Sequence, residues 1–201
     1  MLEGIISLMR GRHAGIPEAQ WDREFAAGKW SRLWDADESA HQFVAAGLLG
    51  ALRPDSILDV GCGQGAFKAQ LSHMDYRKYV GIDVSSAALD VARERDSDPR
   101  ALYVHADAET WRPPGSFDVI TFIESIVYLR SPADVVRRYI DEASPAHVVV
   151  SLFGPKLTGR PYWQIFREAG LSDPVHRFVV RNASGKQWTV ACFRTAAALR
   201  A

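Results

Sequence analysis

Ile57-Leu58-Asp59-Val60-Gly61-Cys62-Gly63-Gln64-Gly65 is an apolar run broken by one acid and closed by three glycines at alternating positions. The apolar residues predict a buried strand, and the glycines predict a tight turn at its end. Glycine takes positive φ without strain and has no Cβ, so such a turn lets the backbone pass close to a ligand. Asp59 lies two residues before the first glycine. Its charge would repel a pyrophosphate in the turn, and it suits a ligand with a cationic amino group and neutral hydroxyls.

Outside this stretch, apolar runs alternate with amphipathic segments. Strands are predicted over 56–60, 79–83, 102–105, 119–123 and 147–152, and helices over 66–73, 86–95 and 132–143. Alternation of this kind, with nearly continuous apolar strands, predicts a parallel sheet covered on both faces. Ser85 or Ser86 is placed to cap one helix, and Ser131-Pro132 opens another. The β-rich runs 178–181 and 187–194 flank Asn182-Ala183-Ser184-Gly185-Lys186, which reads as a hairpin, so the last strand is expected to enter the sheet antiparallel. Residues 160–170 read as a helix stopped by Gly170. Two more helical segments, 18–27 and 37–52, precede the first strand, with Trp21, Phe25, Trp30 and Trp34 in or between them. These aromatics either pack on the sheet edge or close over a ligand. The expected fold is α/β: a single Rossmann-like, doubly wound, mostly parallel sheet with an antiparallel C-terminal strand, helices on both faces and an N-terminal helical lid. One domain spans 1–201, with the lid over 1–54 and the core over 55–195.

Length and composition agree with this. A chain of 201 residues fits one domain, and 47% hydrophobic residues suffice for a core. Lys plus Arg total 24, as do Asp plus Glu, which argues against a dominant nucleic-acid or anionic-membrane surface. Cys62 and Cys192 provide neither a disulfide framework nor metal spacing. Free thiols fit a reducing cytoplasm. Residues 1–9 lack a basic leader and a long apolar core, and no stretch approaches the ~18 apolar residues of a membrane span. The alanine-rich tail, 196–201, is expected to fray. The expectation is a cytoplasmic monomer or homodimer with a small-molecule or sugar substrate, no metal, and no nucleic-acid or membrane partner.

Ligands of open parallel sheets bind beyond the carboxyl ends of the strands, where the strand order reverses. Four acids stand at successive strand ends: Asp59, Asp83, Asp107 and Glu124. Asp83 is suited to accept hydrogen bonds from two ribose hydroxyls, and Asp107 from an adenine amino group. Ala108 offers a backbone N–H to such a ring, Val84 covers its face, and Ile123 borders the same crevice. Taken alone, an acid after a strand is more often a turn residue or helix cap. Cys62 is most simply a small residue in a tight turn beside Gly61 and Gly63. The glycines and Asp83 also fit an NAD fingerprint, Gly61-x-Gly63-x-x-Ala66. Against NAD stand the charge of Asp59, the helical material before the loop and the shortness of the chain beyond it. S-adenosylmethionine (SAM) has the cationic amino group and neutral hydroxyls that Asp59 favours.

Ile57–Gly65, Tyr79-Val80-Gly81-Ile82-Asp83-Val84-Ser85, Ala106-Asp107-Ala108-Glu109 and Phe117-Asp118-Val119-Ile120 resemble, in order and spacing, the motifs of class I SAM-dependent methyltransferases. The resemblance covers roughly residues 55–152. Glu24-Phe25-Ala26-Ala27-Gly28-Lys29-Trp30 and Gly185-Lys186-Gln187-Trp188-Thr189-Val190 resemble the nodulation-type methyltransferases, a group that includes enzymes acting on amino sugars and sugars. This implies SAM as cofactor and methyl transfer to an oxygen or nitrogen. One departure is Ala143-Ser144-Pro145-Ala146-His147, where the family has Leu-x-Pro-Gly-Gly; this turn must be built without paired glycines.

Methyl transfer needs alignment, desolvation and, for a protonated nucleophile, a base. No Asn-Pro-Pro-Tyr motif, Pro-Cys pair or metal-spaced acidic cluster is present, which leaves a small molecule, sugar or glycan as acceptor. Glu124 is the leading catalytic candidate; the other reading is that it only hydrogen-bonds the loop. Tyr128 would share its face if the segment were helical, and His41 and Tyr162 come from the expected lid elements. Arg23 is either a partner for the SAM carboxylate or a solvated helix charge, and Trp30 is a candidate for the cofactor-covering lid. His105, inside a strand, reads as a core or sheet-face residue. A methyltransferase-like subunit that holds SAM without turnover is the alternative function, and an NAD-dependent oxidoreductase the third.

Overall fold

The computed structural model describes residues 15–154 and 160–199; the expectations for residues 1–9, for residues 200–201 of the tail and for the Tyr162 side chain lie outside the described residues. Among the described residues seven strands form one sheet: β1 (Ser56–Val60), β2 (Lys78–Asp83), β3 (Ala101–His105), β4 (Val119–Ile123), β5 (His147–Phe153), β6 (His176–Arg181) and β7 (Gln187–Arg194). Their order is β3-β2-β1-β4-β5-β7-β6. The first five run parallel. β7 lies antiparallel between β5 and β6, as the hairpin pattern predicts. The helices are α1 (Glu18–Ala26), α2 (Ala36–Leu52), α3 (Ala66–Ala69), α4 (Ser86–Arg95), α5 (Pro132–Ala143) and α6 (Arg160–Glu168).

The strand period of two sorts the core into two layers. Leu58, Ile120, Val148 and Val150 point to one face and pack with Val135, Val136 and Tyr139 of α5 and Phe166 of α6. Their neighbours Ile57, Val119 and Val149 point to the other face, where Ala45 and Leu49 of α2 and Leu89 of α4 cover them. Both faces of the central strands β1, β4 and β5 are therefore buried, which is why these strands read as nearly continuous apolar runs.

Two local readings change, those of α3 and His105, and one turn gains its explanation. α3 ends at Ala69 rather than at residue 73. From Gln70 onward the N–H groups bond three residues back, Gln70 to Phe67 and Leu71 to Lys68, so the chain continues as turns. The turn without paired glycines is made by Ser144, which takes the left-handed conformation at φ 46° and returns its N–H to the Ile140 carbonyl. His105 is exposed, and its Nε2 lies 2.9 Å from the Val84 carbonyl and 3.0 Å from the Glu18 carboxylate of α1.

Asp22 ties α1 to the sheet domain. Ser85 Oγ donates to its carboxylate at 2.7 Å, and the Ala87 backbone N–H donates to the same oxygen at 3.2 Å. Ser85 in turn caps α4 by accepting the Ala88 N–H. The Asp22 charge thus sits at the positive end of α4. These hydrogen bonds, the Ser85 hydroxyl first, hold its carboxyl below the usual carboxylate range. A depressed folded pKa means that docking is fully supported above the ordinary Asp value of about 3.9 and weakens as pH falls below it. Asp22→Ala should cost about 0.5–2 kcal/mol, as for loss of a helix cap. Amide exchange should accelerate across Glu18–Ala26 while β1 and β4 keep their protection; unchanged exchange in α1 would show that the contact does not hold the helix.

Candidate active site

A cavity of about 420 Å³ opens at the carboxyl ends of β1, β2 and β4, within the range for small-molecule sites. It lies where the chain, having built β1, β2 and β3 outward, returns to place β4 on the opposite side of β1.

The glycines of the β1 turn divide their tasks. All three have positive φ, 76° at Gly61, 53° at Gly63 and 79° at Gly65. A Cβ on Gly61 would stand 2.4 Å from Ser125 Cβ, so Gly61 is required by the approach of the β4 turn. A Cβ on Gly63 would meet only the Phe25 ring, at 3.6 Å, so this glycine faces the cavity beneath α1. Cys62 lines the same turn, with its thiol packed where a side chain on Gly81 would go. Burial pushes the thiol pKa well up, so it remains protonated.

The strand-end acids have structural partners of their own. Asp59 is buried; Tyr79 OH and Thr121 Oγ1 each donate to one of its carboxyl oxygens at 2.7 Å, tying β1 to β2 and β4. Desolvation pushes its pKa up to about 6. Asp83 accepts the backbone N–H of Gly63 at 2.8 Å and of Ser85 at 2.9 Å. It therefore holds the glycine turn in place, and each oxygen keeps acceptor capacity for a ligand. Asp107 is exposed at the rim and accepts the Glu109 N–H at 2.8 Å. The Ala108 carbonyl is held by Arg138 and Tyr139. Val84, Ala108, Asp107 and Ile123 all border the cavity.

Arg23 does not: it is exposed, and it is absent from the cavity wall. Trp21 and Phe25 turn inward on α1, one helical turn apart, which leaves Arg23 on the outer side. The inward aromatics form one cluster. Tyr128 stands edge-on to Trp21 at 4.9 Å and to Trp30 at 6.3 Å, and Trp30 Nε1 donates to Glu24.

Glu124 follows β4 directly and takes φ 61°, a left-handed conformation that costs a non-glycine residue of order 1–3 kcal/mol. Desolvation pushes its carboxyl up to about 8. Residues Ile126–Tyr128 form one 3-10 turn, so the expected α-helical spacing from Glu124 to Tyr128 does not apply. Burial lifts the Tyr128 phenol to about 12. His41 is buried, and desolvation lowers it to about 4, so its imidazole is neutral. Its Nδ1 lies 2.9 Å from Ser151 Oγ, which also donates to Glu124 Oε1 at 3.2 Å. Sequence reading passed over Ser151 and Asp22. The signal for Ser151 was a single hydroxyl inside an otherwise apolar strand, Val148-Val149-Val150-Ser151-Leu152. Asp22 carries no such signal, being one charge among several in a polar helix. Among the described residues no three His, Cys, Asp or Glu side chains gather as a metal-binding group.

Because the folded Glu124 pKa lies above its unfolded value, stability is fully present at pH 4 and declines as pH rises toward 8. Glu124→Gln should therefore raise stability by up to about 3 kcal/mol at pH 7, with no difference near pH 4. Thermal melts of both proteins across this range measure it; equal melting temperatures at pH 8 would contradict the desolvated carboxyl.

Residues 57–145 match the family model described as a methyltransferase domain. The mitochondrial ubiquinone biosynthesis O-methyltransferase of Schizosaccharomyces pombe is 24% identical over 174 residues, 79% of this chain and 62% of that protein. The ubiquinone biosynthesis O-methyltransferase of Nitrosococcus oceani is 36% identical over 124 residues, 58% of this chain and 48% of that protein. The chain thus spans between 48% and 62% of these relatives' length. The crystal structure of the N-methyltransferase NodS from Bradyrhizobium japonicum, in complex with S-adenosyl-L-homocysteine, matches with a TM-score of 0.75. That match covers 89% of this chain and 98% of NodS at 20% identity, a likeness of fold. Residues 57–145 thus resemble a methyltransferase domain, and the chain shares the fold of NodS.

Proposed function

We propose that this chain transfers a methyl group from SAM to an oxygen or nitrogen of a small molecule, sugar or glycan, with Glu124 as the base. The observation that carries the reading is Glu124 itself. A carboxyl with a pKa of about 8, on a strained backbone, borders the same cavity as Gly63 and Asp83. Strain at such a position is kept where the surrounding structure enforces it, most often at functional sites.

The residues present fit the cofactor. Gly63 and Asp83 would hold its methionine and ribose portions, and Val84, Asp107 and Ala108 its adenine. Phe25 and Trp30 would cover it from α1, a lid role for the N-terminal segment. When bound, SAM supplies a methyl group activated by its sulfonium. The protein contributes alignment and exclusion of water. Glu124 takes the proton that an N–H or O–H acceptor loses, a role that requires its carboxylate form and gains from a pKa near the working pH. Turnover should therefore rise with pH toward about 8 and level off. Among the described residues no helix is long and apolar enough to cross a membrane.

Calorimetry should show SAM binding by the wild-type chain and binding at least tenfold weaker in Asp83→Ala, which loses up to about 1.5–3 kcal/mol per charged hydrogen bond. Because Asp83 also anchors Gly63, this variant should melt somewhat lower. Gly63→Val should not bind, since a β-branched residue resists the positive φ. In a mass-spectrometric assay over sugars, amines and hydroxylated small molecules, Glu124→Gln should lose about 10²-fold in turnover while SAM affinity holds. SAM binding without any methylated product would favour a non-catalytic subunit, and NAD binding in place of SAM would overturn the reading.

A further inference from the structure

Ser151 is fully buried in β5, yet its hydroxyl faces two titratable side chains from distant parts of the chain. His41 Nδ1, from α2, lies at 2.9 Å, and Glu124 Oε1, from the turn after β4, at 3.2 Å. The imidazole is 1% exposed and stacks on Trp188, with ring centroids 5.0 Å apart. Its Nε2 has no hydrogen-bond partner among the described residues. The Phe153 backbone N–H also donates to the Glu124 carboxyl.

A serine hydroxyl has one proton and donates once. It cannot donate to His41 and Glu124 together, so one of them must donate to it. When Glu124 is a carboxylate, Ser151 donates to Glu124 and accepts from a protonated Nδ1 of His41. When Glu124 is a carboxylic acid, its O–H donates to Ser151, Ser151 donates to a bare Nδ1, and the ring proton resides on Nε2. The imidazole exchanges one proton for another and stays neutral in both states, while the net proton taken up is the one on Glu124.

We propose that Ser151 is a positioning residue that couples the ionisation of Glu124 to the tautomer of His41, so that the proton taken from the acceptor is met by a turned hydroxyl. Its part in turnover rests on the reading of Glu124 as the base; the coupling itself does not. The alternative, full proton transfer onto His41, is disfavoured because burial raises the carboxyl to about 8 and lowers the imidazole to about 4, so both groups favour their neutral forms. Other charged groups also face Glu124. Glu38 of α2 raises its pKa, and Arg32 of the 3-10 turn before α2 lowers it. Lys186, in the hairpin, is ion-paired with Glu38. Tyr128 stays protonated throughout this range.

Ring-nitrogen NMR of the uniformly ¹⁵N-labelled chain, without cofactor or acceptor, tests the coupling independently of any methyl transfer. Between about pH 6 and pH 10, the Nδ1 and Nε2 shifts of His41 should exchange pyridine-like and pyrrole-like character, with a midpoint near 8 and no imidazolium signature. The response should vanish in Ser151→Ala and in Glu124→Gln, the second keeping the β5 strand intact should the first fold poorly. Loss of the Ser151 bond, which favours the carboxylate, should also move the pH midpoint of turnover upward by about one unit in Ser151→Ala. A His41 tautomer that is constant across this range in the wild type, or a response that survives either substitution, would overturn the proposal.

Discussion

Gly61 and Ser125 approach so closely that any side chain at residue 61 would collide with the serine. The contact is reinforced where Ser125 Oγ donates to the Val60 carbonyl. It joins the ends of β1 and β4 where the two halves of the sheet separate, and most of the site's geometry follows from it. The glycine turn is brought beside the β4 turn, and Glu124, one residue before Ser125, is driven into a left-handed conformation at the cavity edge. The strain is tolerated because the surrounding contacts over-determine it. The Glu124 N–H continues the β4–β5 ladder to the Ser151 carbonyl, and its carboxyl is met by the Ser151 hydroxyl.

Three carboxyl groups, Asp59, Asp83 and Glu124, are desolvated around this junction, and burial raises the pKa of each. They differ in what offsets the cost. Asp59 has two side-chain donors and serves as a cross-strand tie, while Asp83 has backbone donors from the turns on either side of it. Glu124 is pushed further than Asp59, with the Ser151 hydroxyl and the Phe153 N–H as its donors. A cavity bordered by such groups favours a ligand carrying positive charge, because a nearby cation stabilises the ionised acids. This electrostatic preference agrees with a sulfonium cofactor and disfavours a pyrophosphate.

α1 completes the enclosure from outside the sheet. Its apolar side places Trp21 and Phe25 over the glycine turn, where they meet Trp30 and Tyr128. Its polar side latches through Asp22 to the start of α4 and through Glu18 to His105. The helix is thus held by a few charged hydrogen bonds and an aromatic cluster, in contrast to the apolar layers that hold α2, α4 and α5 to the sheet. An element with so few buried contacts belongs to the less stable part of the fold.

The sequence by itself determined the strand–helix alternation, the parallel sheet with its reversed last strand, and the place of the glycine turn. β1, β4, β7, α4 and α5 start and end where the pattern puts them, because apolar periodicity and capping residues act over a few neighbouring positions. The early end of α3, the left-handed Ser144 and the 3-10 turn at Tyr128 were not legible, since packing chose among local conformations close in energy. The site residues were legible where they stood at strand ends, and illegible where their partners lay far away in the chain. Asp22 rather than Arg23 faces the sheet domain because Trp21 and Phe25 set the rotation of α1. His41 meets Ser151, 110 residues later, only because α2 lies across β5 and β7. Which acid meets which donor is a property of three-dimensional closure, where desolvation and hydrogen bonding are decided by elements that no local pattern connects.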